Sequence, residues 1–352
     1  MYSKRIIAVF AAVFCAVCAA SCTGRGGGGK NGSEVSVTGE TDAKQQETET
    51  AAATEAASTA ETDINVFTTV KEATPAMWKV TDEKTGHELY MLGTMHMVTD
   101  DTFPLPDYIM DVYENCDGIA VEYDVNSVMS DFEQMKDFYA KLIYSDGTTI
   151  KDHISEETYE KAKTFMAENM FYNKMMDSYN AGFWETEIEV AAMMKMKNIN
   201  EKGVDAAFMS LAEKDGKKIV NVESLDIQAK SLNAVSDALA DYMIKQIIDS
   251  TEDMSVYTES FAQQYDLWAS GDIDALDASD VENEIPKELN DDYAAYLDVM
   301  LYGRNEKMAD KAEEFLKNGD NYFFMVGASH FAGSRGVDDM LQQKGYKVER
   351  VA

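Results

Sequence analysis

Leu89-Tyr90-Met91-Leu92-Gly93-Thr94-Met95-His96 and Tyr322-Phe323-Phe324-Met325-Val326-Gly327-Ala328-Ser329-His330 stand far apart in the chain and share one plan: an apolar run, then Gly-x-x-His. An apolar run bounded by glycine reads as a buried strand, and glycine at its exit lets the backbone turn sharply. An imidazole three residues later then projects over the end of a sheet, where a rigid scaffold presents groups for chemistry. Two of the four histidines are placed this way. The other two, His87 in a predicted turn and His153 before a predicted helix cap, have no such setting and are expected to be solvated.

Working outward, Met77–Val80 and Glu88–Leu92 form a predicted hairpin turning at Asp82–Gly86. Pro104–Asn115 has helical spacing through Ile109, Val112 and Tyr113, and Gly118–Tyr123 is a further strand that delivers Glu122. A crossover of that length joins neighbouring parallel strands, so the first histidine strand and the Glu122 strand are expected side by side. The middle is helical. Ser155-Glu156-Glu157 opens a capped helix, and Phe183–Met196 repeats the helical period. Gly203-Val204-Asp205 starts another helix, and Lys218–Val222 is a strand ending at Glu223. Long helices are predicted over Ile227–Asp249, Val256–Ser270 and Asp291–Asn318, the last carrying Arg304 and Asn305. A helix at Val337–Lys344 and a strand at Tyr346–Val351 close the chain. The fold class is α/β: a mixed, largely parallel sheet covered by helices, with a large helical insertion.

Lys4 and Arg5 followed by the apolar run Ile6–Ala20 read as an export signal, too short for a membrane span of roughly 20 residues. Ala19-Ala20-Ser21-Cys22-Thr23 resembles a lipobox, so residues 1–21 are expected to be a lipoprotein signal peptide. Cys22 would then carry the lipid anchor that holds an exported protein on a bacterial cell membrane; simple secretion is the alternative. Residues 22–64 are rich in Gly, Ser, Thr, Glu and Ala, which suits a tether. Residues 65–352 carry no second linker and read as one domain. Cys116 alone remains there, a cysteine of the kind usually buried.

The formal net charge of -33 argues against nucleic acid as a partner, because phosphate binding needs a basic face. It also argues against broad adhesion to anionic lipid, leaving a lipid at Cys22 as the expected membrane contact. The methionine pairs Met175-Met176 and Met193-Met194 suit either core packing or an adaptable peptide-binding surface.

The chain resembles the TraB/GumN family, which includes the Tiki metalloproteases, over about Ala76 to Val351. The likeness rests on ordered blocks: Trp78-Lys79-Val80 before Leu92-Gly93-Thr94-Met95-His96, then Val121-Glu122-Tyr123 and Gly203-Val204-Asp205. Val222-Glu223-Ser224 with Gln228, Arg304-Asn305 with Met308-Ala309, and Gly327 to Gly333 with Gly345-Tyr346 complete it. Beside the resemblance, two neutral imidazoles and a carboxylate are a usual ligand set for a catalytic divalent ion, which makes His96, Glu122 and His330 the candidate metal ligands. The resemblance implies manganese or cobalt; zinc is the general alternative. Glu223 is the candidate fourth ligand or proton acceptor, and Arg304 the candidate group for steadying substrate or transition state. Plainer readings stand beside these: Glu122 also suits an ion pair with Arg304, Asp205 a helix-terminal hydrogen bond, and Ser329 a turn.

These residues lead to an expected metal-dependent hydrolase acting on peptides or exposed protein termini. A peptide-capturing protein is the alternative, in keeping with the association of TraB-named members with peptide pheromone shutdown. A haem or small-molecule binder with His96 or His330 as axial ligand is the third reading.

Overall fold

Leu89, Met91, Leu92 and Gly93 are all buried, which explains why the first histidine strand lacks strict alternation: a strand covered on both faces has no solvent side to make polar. The computed structural model describes residues 64–200, 202–277 and 285–351. The expected signal, Cys22 and the tether up to residue 63 lie outside the described residues.

Chain order begins with β1 (Met77–Thr81), β2 (Glu88–Thr94), α1 (Asp107–Asn115) and β3 (Gly118–Val121). The insertion carries α2 (Glu156–Glu168), α3 (Ala181–Met193) and α4 (Gly203–Asp215). After β4 (Lys218–Asn221) come α5 (Leu225–Leu232), α6 (Asp237–Thr251), α7 (Met254–Ala269), α8 (Asn290–Leu297) and α9 (Gly303–Asn318). The chain then closes with β5 (Tyr322–Gly327), α10 (Val337–Gln343) and β6 (Lys347–Arg350). The six strands form one sheet in the order β6-β1-β2-β5-β3-β4. β2, β5, β3 and β4 run parallel, while at one edge β1 is antiparallel both to β2 and to the outermost strand β6. The expected mixed, largely parallel α/β sheet is what forms.

One expectation about strand order is corrected. β2 and β3 are not neighbours, because β5 lies between them. Phe323, Phe324, Met325 and Val326 are fully buried, and a strand so apolar on both faces belongs in the middle of the sheet. The register pairs Thr94 with Gly327 and Val121 with Met325, so three strands finish at nearly the same level.

The helical stretches also differ in detail. Ile227–Asp249 is two helices, since Asn233 ends α5 and the Ser236 side chain caps α6 by accepting from the Leu239 amide at 3.3 Å. Asp291–Asn318 contains a π-helical turn at Asp298–Tyr302 between α8 and α9. Such wide turns often sit beside functional groups. Ser155 caps α2 as expected. A second, smaller apolar cluster inside the insertion gathers Leu239, Met243, Tyr293, Tyr296 and Met300.

His87 and His153 are not free in solvent. His87 Nδ1 lies 2.8 Å from the Leu316 carbonyl oxygen, and the His153 ring stacks on Tyr144 at 3.8 Å and reaches Asp237 Oδ1 at 3.0 Å. Each methionine pair is divided, with Met176 and Met193 buried and Met175 and Met194 exposed, because adjacent residues point to different sides of a helical turn. Cys116 is buried, and burial pushes its thiol above its ordinary range. No helix among the described residues is long and apolar enough to cross a membrane.

Candidate functional site

The chain leaves β2 at Thr94 and reaches His96 two residues later; the loop is fastened to the start of α4, where the Val204 amide donates to the Met95 carbonyl at 2.9 Å. This approach requires glycine. Gly203 has φ +56°, and a Cβ there would fall 2.1 Å from the His96 carbonyl oxygen. Two residues further, Asp205 Oδ2 sits 2.9 Å from His96 Nδ1, while its Oδ1 accepts from the Thr94 hydroxyl at 2.8 Å. Burial works against a charged His96, but Asp205 and then Glu122 outweigh it and hold the ring above its ordinary range. Among the described residues, His96 Nε2 is buried without a hydrogen-bond partner.

Glu122 follows β3 directly. Its Oε1 accepts from the Gly327 amide at 2.9 Å and lies 3.6 Å from His330 Nε2; its Oε2 accepts from Arg304 Nη2 at 2.6 Å. Burial alone would raise the acid, yet Arg304, His330 and His96 bring it down to about 2, so the carboxylate is charged near neutral pH.

His330 sits in a short 3-10 turn, Ala328–Phe331, just past β5. Its Nδ1 lies 2.5 Å from Asn305 Oδ1, and Asn305 Nδ2 donates to the Arg335 carbonyl at 2.8 Å. With its amide N–H so engaged, Asn305 presents its oxygen and takes the Nδ1 proton, which leaves a lone pair on Nε2. Burial first, and Arg304 second, lower the ring to about 3, so it is neutral.

Arg304 occupies the first turn of α9 and is almost wholly buried. Its Nε and Nη2 donate to Glu223, Nη2 also to Glu122, and Nη1 to the Met300 carbonyl in the π turn. Glu223, two residues past β4, also accepts from Gln228 Nε2 at 2.8 Å. Burial chiefly, with Glu122 adding to it, raises Glu223 despite the guanidinium.

Four of the five expected site residues therefore follow strand ends and Arg304 meets them from α9, in two linked groups. His96, Glu122 and His330 surround Gly327: a Cβ on that glycine would lie 3.3 Å from Glu122 Oε1, 3.7 Å from His330 Cδ2 and 3.8 Å from His96 Nε2. Glu223 and Arg304 stand behind Glu122. Both oxygens of Glu223 are engaged by Arg304, so its contacts suit holding that guanidinium rather than the expected acceptance of a proton. Arg304 likewise directs Nε, Nη1 and Nη2 into the protein, so its geometry fixes Glu122 instead of reaching a substrate. Asp205 and Asn305 were not read from the sequence as partners of the histidines. Asp205 opens a helix and Asn305 adjoins Arg304, positions whose ordinary duties hide this one.

Among the described residues, no group of three or more His, Cys, Asp or Glu is arranged to hold a metal ion as the side chains stand. The chemistry of the donors nonetheless fits one. His330 Nε2 and Glu122 Oε1 are both acceptors facing each other, His96 Nε2 has no partner, and each ring's other nitrogen meets a carboxylate or amide oxygen, the usual outer support of metal-binding histidines.

Parallel strands ending in two glycine-preceded histidines around a buried, arginine-held carboxylate define the class: an α/β protein with its polar centre at the strand ends. The chain belongs to the TraB/PrgY/gumN family, whose model matches residues 76–350. It is 21% identical over 324 residues to metalloprotease TIKI2 of Danio rerio, covering 79% of this chain and 61% of that protein. With metalloprotease TIKI1 of Homo sapiens the identity is 26% over 200 residues, 48% of this chain and 39% of the relative. With the protein of Escherichia coli (strain K12) named uncharacterized protein YbaP it is 22% over 260 residues, 73% and 89% of the two chains. The chain thus spans 61% and 39% of the lengths of these two Tiki relatives. No solved structure matches it.

Proposed function

We propose that this protein is a metal-dependent hydrolase acting on peptides or exposed protein ends, with His96, Glu122 and His330 as the ligands. The observation that carries this reading is the convergence of His96, Glu122 and His330 on Gly327, where His330 Nε2 faces Glu122 Oε1 at 3.6 Å and His96 Nε2 is buried with no hydrogen-bond partner among the described residues. The Tiki names of its relatives support the protease class. A divalent ion of manganese, cobalt or zinc held there supplies Lewis-acid polarisation of a carbonyl and activation of water at neutral pH.

The chain's own residues prepare that centre. Asp205 and Asn305 fix which nitrogen of each ring is free, and Arg304 keeps Glu122 ionised while satisfying its second oxygen. Glu223 and Gln228 in turn lock Arg304, so the carboxylate that faces the histidines is held in one orientation. Gly327 leaves the space between the ligands open and points its amide at Glu122.

Export and anchoring at Cys22 belong to the same proposal and rest on Lys4 to Thr23 alone, with the folded part outside the cytoplasm. Replacing Cys22 with Ala should release the protein from the membrane fraction.

Elemental analysis of the purified protein beside His96→Ala and His330→Ala, together with mass analysis of a peptide library, tests the activity. Metal in the wild type, its loss in both variants and shortened peptides are expected. Intact peptide that co-purifies with metal-free protein would favour capture and end the hydrolase reading.

A further inference from the structure

His153 stands at the head of a seam between two helices. α2 and α6 pack side by side, and polar contacts climb the seam in step. His153 Nδ1 meets Asp237 Oδ1 at 3.0 Å, the Ser155 amide donates to Asp241 Oδ1 at 2.8 Å, Lys245 donates to Glu157 at 3.1 Å and Lys161 to Asp249 at 3.0 Å. The first of these contacts differs from the others in kind, because histidine is the side chain that ordinarily changes charge between pH 5 and 8.

Counting protons shows which form of the ring the contact needs. Thr148 Oγ1 donates to Asp146 Oδ1 at 2.6 Å, and the Thr148 amide donates to the same oxygen at 3.0 Å. The hydroxyl first and the amide second hold Asp146 below the ordinary carboxylate range, so it stays an acceptor. His153 Nε2 lies 2.7 Å from the Thr148 hydroxyl oxygen. Three side-chain hydrogen bonds thus join Asp237, His153, Thr148 and Asp146, with an acceptor-only carboxylate at each end. A hydroxyl supplies one proton, so the ring must supply two, and an imidazole donating from both nitrogens is positively charged. That ring lies flat on Tyr144, centroids 3.8 Å apart and 1° from parallel, where an aromatic face attracts a cation. Burial holds the Tyr144 hydroxyl above its ordinary range, so Tyr144 is neutral. Asp152 on the same loop and Asp241 on α6 are the further acids beside the ring, while Lys151 turns away to Asp177 and the face of Tyr159. Hydroxyl, imidazole and carboxylate in this order also suggest a nucleophile with its base, but the Thr148 proton is committed to Asp146 and Nε2 keeps no lone pair to take it.

We propose that His153 is a pH-sensitive latch, which in its charged form fastens the loop Tyr144–His153 to the start of α6 and on losing a proton lets that end of the seam open. A neutral ring brings one proton instead of two, so the chain from Asp237 to Asp146 loses one of its three bonds. Ile150, fully buried, keeps the base of the loop in the core in either form, which confines the change to the loop and the first turn of α6. The latch shares no residue with the His96–Glu122–His330 group.

Hydrogen exchange of the purified full chain, read by mass spectrometry at about pH 5 and about pH 8 and corrected for intrinsic rates, tests the latch. Amides of residues 144–155 and 237–241 should be about 3–10-fold better protected at the lower pH, the size expected for one hydrogen bond. His153→Gln and Asp237→Ala should each remove that difference and leave protection near the wild-type level at the higher pH. His96→Ala/His330→Ala should keep it, which separates the latch from titration of the strand-end centre. Equal protection of these amides in the wild type at both pH values, or a difference that survives in His153→Gln, would overturn the proposal.

Discussion

Nε2 of His330 faces Oε1 of Glu122 across 3.6 Å, and neither atom brings a proton to the other. The neutral ring owes its free lone pair to Asn305, which holds Nδ1 at 2.5 Å. Asn305→Leu should therefore weaken divalent-metal binding by about 10–100-fold, as loss of an outer partner commonly does, while Asn305→Asp, still an acceptor, should keep most of it. Competition against a chelator of known affinity measures both.

Gly327 and Gly203 make a contrasting pair. An added methyl at Gly327 meets nothing closer than 3.3 Å, so Gly327→Ala should fold with a thermal midpoint near that of the wild type but lose metal and peptide cleavage by crowding the space between the ligands. At Gly203 the left-handed φ and a 2.1 Å approach to the His96 carbonyl forbid a side chain. Gly203→Ala should lower the midpoint and displace His96 with it; equal behaviour of the two variants would contradict this account.

Acid should destabilise the metal-free protein from an unusually high pH. His330 titrates at about 3 when folded against an ordinary 6.5, so the unfolded chain binds its proton first. Its contribution is complete above pH 6.5 and is lost as pH falls through that window. Glu122, lowered to about 2 from an ordinary 4.5, adds a second loss between those values. Urea unfolding of stripped wild type and His330→Asn at several pH values should show a shallower slope for the variant between pH 6.5 and 4.5, above the range in which Glu122, itself held down partly by His330, takes its proton.

Arg304 is the buried cation that pairs with both Glu122 and Glu223. Arg304→Met should cost about 3–5 kcal/mol of unfolding free energy, the usual penalty for leaving a buried charge alone. Arg304→Lys should recover only part, since a single ammonium cannot span Glu122, Glu223 and the Met300 carbonyl as the guanidinium fork does. Denaturant titration of both variants checks the order.

Legibility in the chain followed from how local each signal was. The apolar runs ending at Gly93 and Gly327 marked strands because burial on both faces leaves a composition that needs no partner to be read. Glu122 and Glu223 were visible as acids at strand exits. The histidine partners Asp205 and Asn305 are hidden in the chain, because a helix-opening acid and an amide beside an arginine have plainer uses and their targets lie 109 and 25 residues away. His87 and His153 misled for a related reason: a ring in a predicted turn gives no local sign that Leu316 or Asp237 will come to meet it.

Sequence alone determined the α/β class, the family likeness and which residues reach the sheet end, since strand burial, glycine turns and helical period are properties of neighbours along the chain. Only the tertiary structure decided that β5 lies between β2 and β3, that Arg304 stands behind Glu122 and that, among the described residues, Glu189 Oε1 is buried without a hydrogen-bond partner. Those facts depend on which distant segments share a buried volume, and there the cost of an unpaired polar group, set by every wall at once, selects the partner.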